Sequence, residues 1–453
     1  MSSAGPVSEV KVVASLALLY VFRMLGLFMV FPVMMLFGQN YAGATPFLLG
    51  MALGIYGLTQ AVFQIPLGLL SDVWGRKPVI FLGLVVFVLG SAVAALADSA
   101  WGLIMGRSLQ GAGAIASAVM ALVGDLTSEQ NRTRAMAMIG ASIGLSFSVA
   151  MVIGPILASI GGLSAIFWLS ALLSLIGMLI LYWLIPNPPV GKSHGSDGLT
   201  VPALLKNALR NIDLLRLDLG IFVLHFVLTA TFVVVPLAFQ NVGIDAARHW
   251  HFYLPVMVVA FIAMLPFMYV AERKRQIKNV FVAAVLLLAL SEAGLGFAEH
   301  LWHWVFGLFT FFTAFNLLEA TLPSLVSKQA PAGSKGTAMG VYSTCQFLGA
   351  AGGGMVGGYC YQTWGLSSVL MVSLTLCTIW FLVSLSMRSP QYLSSICLPQ
   401  SRAVNERALL SGVAGIAEVA WVEEQALLYL KVDTAVFDRD QLRLYLESNE
   451  AIA

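Results

Sequence analysis

Gly68-Leu69-Leu70-Ser71-Asp72-Val73-Trp74-Gly75-Arg76-Lys77-Pro78 is a short basic turn between two long apolar runs, residues 46–70 and 79–97. Gly68 and Gly75 allow a tight turn and close helix approach. Asp72 can face a helix N-terminus or an arginine, and Arg76 with Lys77 hold the loop on the cytoplasmic side of a membrane. A loop that only set topology would need Arg76 and Lys77. It would not need Gly68, Asp72 and Gly75 at their spacing.

The chain around this turn has 453 residues, 59% hydrophobic and 10% charged. A soluble domain carries about 25% charged and roughly 45–50% apolar residues, so the solvent of most of this chain is lipid. A spanning helix needs about 20 mostly apolar residues to cross roughly 30 Å of hydrocarbon. Apolar runs bounded by polar clusters occur at 13–37, 46–70, 79–97, 101–124, 135–160, 164–185, 217–240, 251–271, 279–298, 302–327, 337–362 and 366–387, which makes twelve. The first run holds Arg23 and Pro32, lacks a small-residue cleavage site and is too long for a signal segment, so it reads as a retained span. A net charge of +2 gives no reason to expect a nucleic-acid partner. Cys345, Cys360, Cys377 and Cys397 show no C-x-x-C spacing, and three lie in apolar runs. They read as free buried thiols, with no metal site.

Lys and Arg fix the orientation, because positive loops stay cytoplasmic. With odd-numbered spans entered from the cytoplasm, sixteen Lys and Arg lie on that side and Arg248 alone on the other; Arg23 and Arg107 lie inside spans and five more in the tail. Both termini are therefore expected in the cytoplasm. The polar stretch Asn187-Pro188-Pro189 to Gly198 divides the spans six and six. After it, Leu204, Leu205, Ala208, Leu209, Ile212 and Leu215 recur at helical spacing opposite Lys206, Asn207, Arg210 and Asn211, which suits an interfacial helix or, alternatively, a solvated linker. The expected division is 1–186, a six-helix half; 187–216, a cytoplasmic linker; 217–390, a second six-helix half; and 391–453, a soluble unit.

Composition changes at Arg388-Ser389-Pro390, and residues 396–453 hold 14 of the chain's charged residues, nine of them acidic. Ala417, Val419 and Trp421 alternate, Glu423-Glu424-Gln425 is turn-like, and Leu428, Leu430 and Val432 alternate again, which predicts two paired strands. Asp438-x-x-Gln441 resembles an N-terminal capping signature before Leu442, Tyr445 and Leu446. With a strand near Ile396 and a helix over 405–410, the order is β-α-β-β-α, a ferredoxin-like α+β plan without an evident last strand.

Several polar groups lie where lipid makes them expensive. Arg107 sits in the fourth span, within Gly106-Arg107-Ser108-Leu109-Gln110-Gly111, and Asp125 at that span's cytoplasmic end is placed to pair with Arg76. Arg23, His225, Glu292, Asn316 and Glu319 also fall inside spans. Asn316 and Glu319 are one helical turn apart and share a face. A carboxyl group in such a place can carry a proton, which makes Glu319 the first candidate for proton coupling. His225 also reads as a hydrogen-bonded packing residue, and Arg23 as a snorkelling one. Span five carries Gly140, Gly144, Gly154 and Pro155, glycines that also suit ordinary helix packing.

The turn at 68–77 resembles the G-x-x-x-D-x-x-G-R-[RK] signature of the major facilitator superfamily, and Arg107 to Gly111 resembles its R-x-x-Q-G signature. That resemblance implies an all-α membrane fold of 12 transmembrane helices in two six-helix halves around a midplane cavity, with alternating access. It implies that Gly68, Asp72, Gly75, Arg76, Lys77, Arg107 and Asp125 form a conformational gate. In the form closed toward the cytoplasm, Asp72 would meet the start of span eleven near Gly336 and Thr337. Gly144, Gly154 and Pro155 resemble the antiporter signature of span five in part, with Ala150 at a position where glycine is usual. Gly54-Ile55-Tyr56-Gly57, Asp125-Leu126-Thr127-Ser128 and Gly336-Thr337-Ala338-Met339-Gly340, together with the tail, resemble a bacterial branch classed as proton-driven drug antiporters of the inner (cytoplasmic) membrane. The implied partners are protons, a small lipophilic or cationic molecule and the bilayer, with no cofactor beyond the proton gradient. The chain is expected to be a monomer whose tail meets the membrane portion or another chain. Proton-coupled uptake and a sensor that signals through the tail are the alternatives. An enzyme is not expected, since no nucleophile, base and orienting group converge in a motif.

Overall fold

The computed structural model describes residues 6–127, 129–187, 205–206, 209–330, 335–388, 393–399, 409, 412–422, 427–433, 436–439 and 441–443. Its long helices are α1 (Pro6–Phe28), α2 (Pro46–Trp74), α3 (Arg76–Ala95), α4 (Ala100–Leu126), α5 (129–160), α6 (163–183), α7 (Ile212–Asn241), α8 (Trp250–Arg273), α9 (Ile277–Gly296), α10 (Leu301–Gln329), α11 (Lys335–Trp364) and α12 (Leu366–Leu385). Among the described residues, ten helical stretches are long and apolar enough to cross a membrane. One of these is α5 and α6 run together across non-helical Gly161 and Gly162. A further helix, α11, is 30 residues long but diluted by glycine and polar residues. The described residues thus hold twelve long helices, eleven of them within stretches apolar enough to cross a membrane.

Local chemistry sets the helix ends. Thr45 caps α2 by accepting the Leu48 N–H, with Pro46 opening the helix, and Ser99 caps α4 through Gly102 N–H. Gly75, at φ +94°, separates α2 from α3, a backbone angle that L side chains rarely adopt. The first span, expected to run unbroken over 13–37, instead ends at Phe28 and resumes as a short turn, Met34–Phe37. Pro32, which lacks an N–H and clashes with the preceding turn, lies in the break. The helix expected over 204–215 is also divided. Asn211 accepts the N–H groups of Asp213 and Leu214, so Ile212 and Leu215 open α7, while 204, 207 and 208 lie outside the described residues.

The helices pack in two groups that meet along α2 and α11. A Cβ on Gly54 would lie 2.5 Å from the Ala351 carbonyl, and one on Gly358 2.7 Å from that of Pro46. Only glycine permits this approach. The seam occupies the end away from the basic loops. Phe147 of α5 extends it to mid-membrane, lying 6.3 Å from Phe232 of α7 and 5.9 Å from Phe312 of α10. At the end with the basic loops, a Cβ on Gly140, Gly144, Gly336 or Gly340 would meet nothing within 4 Å. The two groups are therefore sealed at one end and apart at the other.

In the tail, β1 (Leu393–Pro399), β2 (Ile416–Val422) and β3 (Leu427–Asp433) form an antiparallel sheet in the order β1-β3-β2. Leu428, Leu430 and Val432 face a small core with Leu409, Val413, Ile416 and Leu442. A register shift between Ile416 and Glu418 changes the strict alternation expected in β2: Ile416 turns inward and Ala417 is exposed. The side chain of Trp421, the segment 423–425, the residues 405–408 and the pair Tyr445 and Leu446 lie outside the described residues.

Candidate functional site: gate loop and buried polar clusters

The turn that opened the sequence reading is held by Arg76. Its Nη1 pairs with Asp72 and donates to Ser71 Oγ at 2.8 Å, and its Nε reaches Asp125 Oδ2 at 3.0 Å. The expected Arg76–Asp125 pair is present and joins the start of α3 to the end of α4. Lys77 Nζ donates to the Ile185 carbonyl at 2.7 Å, tying the same loop to the end of α6. Asp72 keeps a half-exposed side chain. A Cβ on Gly336, at the start of α11, would meet nothing within 4 Å, in keeping with two groups that are apart at this end.

Inside the N-terminal group, Arg23 and Arg107 are fully buried. Arg23 Nη2 donates to Gln60 Oε1 at 2.7 Å and to the Gly113 carbonyl at 2.8 Å. That carbonyl lies in the break in α4 at 113–115, where the helix cannot satisfy it. Arg107 donates to the Ala52 carbonyl at 3.2 Å and to Gln110 Oε1 at 2.9 Å, with its guanidinium 4.7 Å from the Tyr56 ring centre. Gln110 passes the network on to Ser91 Oγ at 2.7 Å. Gln110 is the glutamine of the R-x-x-Q-G stretch, whereas Gln60 and Ser91 were not singled out from sequence. The signal for Gln60 was the four-residue spacing of Tyr56, Gln60 and Gln64 along one face of α2.

The C-terminal group holds the acids. Gln346 Nε2 of α11 lies 2.8 Å from His225 Nε2 of α7 and 3.3 Å from Glu319 Oε1 of α10. An amide nitrogen only donates, so in this pairing His225 Nε2 is the acceptor. Glu319 Oε2 lies 3.8 Å from the same imidazole nitrogen. The Glu319 side chain is one-third exposed, although Oε2 itself is sheltered. Asn316, one turn away, is half-buried. Glu292 of α9 stands apart, fully buried, accepting from Thr231 Oγ1 of α7 at 3.0 Å. Gln346, which joins the two predicted titratable groups, was missed because glutamine carries no charge signal. In α5, Gly154 packs against the Met29 carbonyl while Gly144 faces open space, so the partial span-five signature divides between the sealed end and the open end. Cys345, Cys360 and Cys377 are free thiols, the last two buried.

Comparison with known proteins agrees with this architecture. Residues 16–354 and 217–421 match the family described as Major Facilitator Superfamily. The chain is 48% identical over 425 residues to the inner membrane transport protein YajR of Escherichia coli (strain K12), covering 93% of each chain. It is 33% identical over 136 residues to the class B tetracycline resistance protein of Escherichia coli, which is 30% of this chain and 34% of that one. The crystal structure of a bacterial homologue of the human lysosomal transporter Spinster, inward-facing and occupied, superposes with a TM-score of 0.71 at 14% identity, covering 84% of this chain and 97% of that one. Long apolar helices, the glycine and arginine turn at 68–77 and near full-length similarity to an inner membrane transport protein converge on one conclusion: this multi-pass membrane chain belongs to the major facilitator superfamily, a family of secondary transporters and not of enzymes.

Proposed function

We propose that the protein exports a small lipophilic or cationic molecule across the inner membrane in exchange for protons, with both termini in the cytoplasm. The observation that carries this reading is the His225–Gln346–Glu319 cluster, where two titratable groups share one amide donor. A proton arriving on His225 Nε2 turns that atom into a donor. The Gln346 amide must then release it, and the imidazolium pairs with Glu319. A proton on Glu319 instead leaves the amide in place and removes the carboxylate charge from the wall of the cavity. Each event changes what the cavity offers a cationic substrate. The partial similarity to tetracycline resistance proteins favours export.

In this reading Gly68, Asp72, Gly75, Arg76, Lys77 and Asp125 serve the cytoplasmic gate, and Arg23, Asn316 and Glu319 belong to the cavity and its support; Arg107, expected in that gate, instead holds Ala52 beside the glycine seam of the sealed end. Asp72 docks on the start of α11 when the cytoplasmic end closes, stabilised by that helix dipole. The chain divides into halves at 1–186 and 217–390, with a cytoplasmic ferredoxin-like unit at 391–453, whose strand order agrees with that plan.

The test is a proton gradient imposed on proteoliposomes holding the full chain, challenged with lipophilic cations, sugars and amino acids, for wild type and Glu319→Gln. Dissipation by one class of compound, lost in Glu319→Gln, is the expected result. Dissipation that survives Glu319→Gln removes this residue from proton coupling. Correctly inserted protein that couples no compound to protons overturns the exchanger reading.

A further inference from the structure

Buried charge in the N-terminal half is one-sided. Arg23 and Arg107 have no exposed surface, and among the described residues neither has a carboxylate partner. Their acceptors are the Gln60 and Gln110 side-chain amides and the Gly113 and Ala52 carbonyls, all neutral. Arg23 Nε and Nη1, Arg107 Nη2 and the Tyr56 hydroxyl are enclosed with no hydrogen-bond partner. Every one of these atoms is a donor, and three of the four belong to the two guanidinium cations.

The groups lie along one seam between α1, α2 and α4. Ala52, Tyr56 and Gln60 stand four residues apart and line one face of α2. Arg107 lies over the Tyr56 ring, and Gln60, one turn further on, holds Arg23. Arg107 and Arg23 are thus held at successive turns of the same face of α2, Arg107 at Ala52 and Tyr56 and Arg23 at Gln60. Phe87, 5.7 Å from Arg23 Cζ, and Tyr56 offset part of the charge through their ring faces. They do not give the orphaned N–H groups an acceptor. Water would accept those hydrogens but would leave two buried cations uncompensated, which is the costly arrangement.

We propose that a small monovalent anion of halide size, chloride under ordinary conditions, binds in this seam between Arg23 and Arg107 beside the Tyr56 hydroxyl. A small ion fits this place best, because the side chains of Arg23, Gln60, Arg107 and Gln110 are all fully enclosed. The site does not depend on which residue carries the transported proton.

Thermal unfolding of the full chain in detergent, with chloride exchanged for gluconate at constant ionic strength, tests this. The midpoint is expected to rise saturably with chloride, and equally with bromide. The rise should be lost in Arg23→Gln and reduced in Tyr56→Phe, which keeps both guanidinium groups and removes only one orphaned donor. A rise that gluconate matches, or one undiminished in both variants, overturns the proposal. Crystals grown in bromide locate the ion: an anomalous peak within hydrogen-bond distance of Arg23 or Arg107 is expected. Density there without anomalous signal identifies water and overturns the assignment.

Discussion

A methyl group at Gly354 should open the sealed end of the protein. A Cβ there would lie 2.6 Å from the Gly50 carbonyl, 2.7 Å from Gly54 N and 2.9 Å from Gly54 Cα, whereas non-bonded carbon atoms prefer about 3.5–4.0 Å. All three obstacles are backbone, so no side chain can swing aside, and α2 and α11 must part by roughly 1 Å. Overpacking of this kind costs about 1–3 kcal/mol, and the cost falls only on the arrangement in which the seam is closed. The equilibrium should therefore shift about 5–150-fold toward the arrangement with the seam parted. Spin labels at Ala42 and Thr363, both exposed near the seam's outer end, in a background with the native cysteines replaced, report the separation as a distance distribution. Gly354→Ala should move population to longer distances. Gly340→Ala, where a Cβ meets nothing, should give no lengthening. An unchanged distribution in Gly354→Ala, or an equal shift in both variants, would refute the argument.

Other consequences are separately measurable. Asp72→Asn should lower transport while leaving expression intact, and an unaltered rate in the proteoliposome assay counts against its gate role. Thr231→Val removes the hydrogen bond that Thr231 Oγ1 donates to the fully buried Glu292 carboxyl and should cost about 1–3 kcal/mol, read as a lower thermal midpoint in detergent; an unchanged midpoint would mean that Glu292 finds another donor. Deleting residues 391–453 should leave flux intact if the tail is regulatory, and loss of flux in a correctly inserted protein would make the tail part of the transport unit.

The membrane helices were legible because lipid imposes a simple rule: nearly every residue of a span must be apolar, so the ends announce themselves as polar clusters. The exceptions are instructive. Residues 13–37 read as one apolar run, yet the helix stops at Phe28, because hydropathy is blind to the missing N–H of Pro32. The break in α4 at 113–115 is equally silent in hydropathy, and it matters because it frees the carbonyl that Arg23 takes. The charged members of the site could be found in the sequence, since Arg76, Asp125, Arg107 and Glu319 each stand out against an apolar background. Their partners could not. Gln60 and Gln346 are neutral, and only the packing of one helix on another shows that each bridges to a charged residue. The seam was hidden for another reason: Gly50, Gly54, Gly354 and Gly358 look like any membrane glycines until the two helices are seen to cross at them.

Two faces of α11 connect proton loading to that seam. Gln346 reaches His225 and Glu319, while its neighbour Phe347 begins the row of Ala351, Gly354 and Gly358 that packs on α2. On the first face, Gly349 and Gly353 press against the Phe222 and Phe226 carbonyls of α7, so α7 and α11 move together over that stretch. A proton that alters the acceptor at His225 forces the Gln346 amide to choose another partner. The helix that carries this amide is also the one whose fit against α2 seals the far end. Close packing of backbone against backbone does not yield gradually, so a small rotation of α11 either preserves the glycine seam or breaks it. The label distance between residues 42 and 363 should therefore depend on pH in the wild type. That dependence should vanish in Gln346→Ala, where the imidazole and the carboxyl no longer act on α11 through a shared donor. If Gln346→Ala keeps the full pH dependence, the proton signal reaches the seam by a route other than this amide.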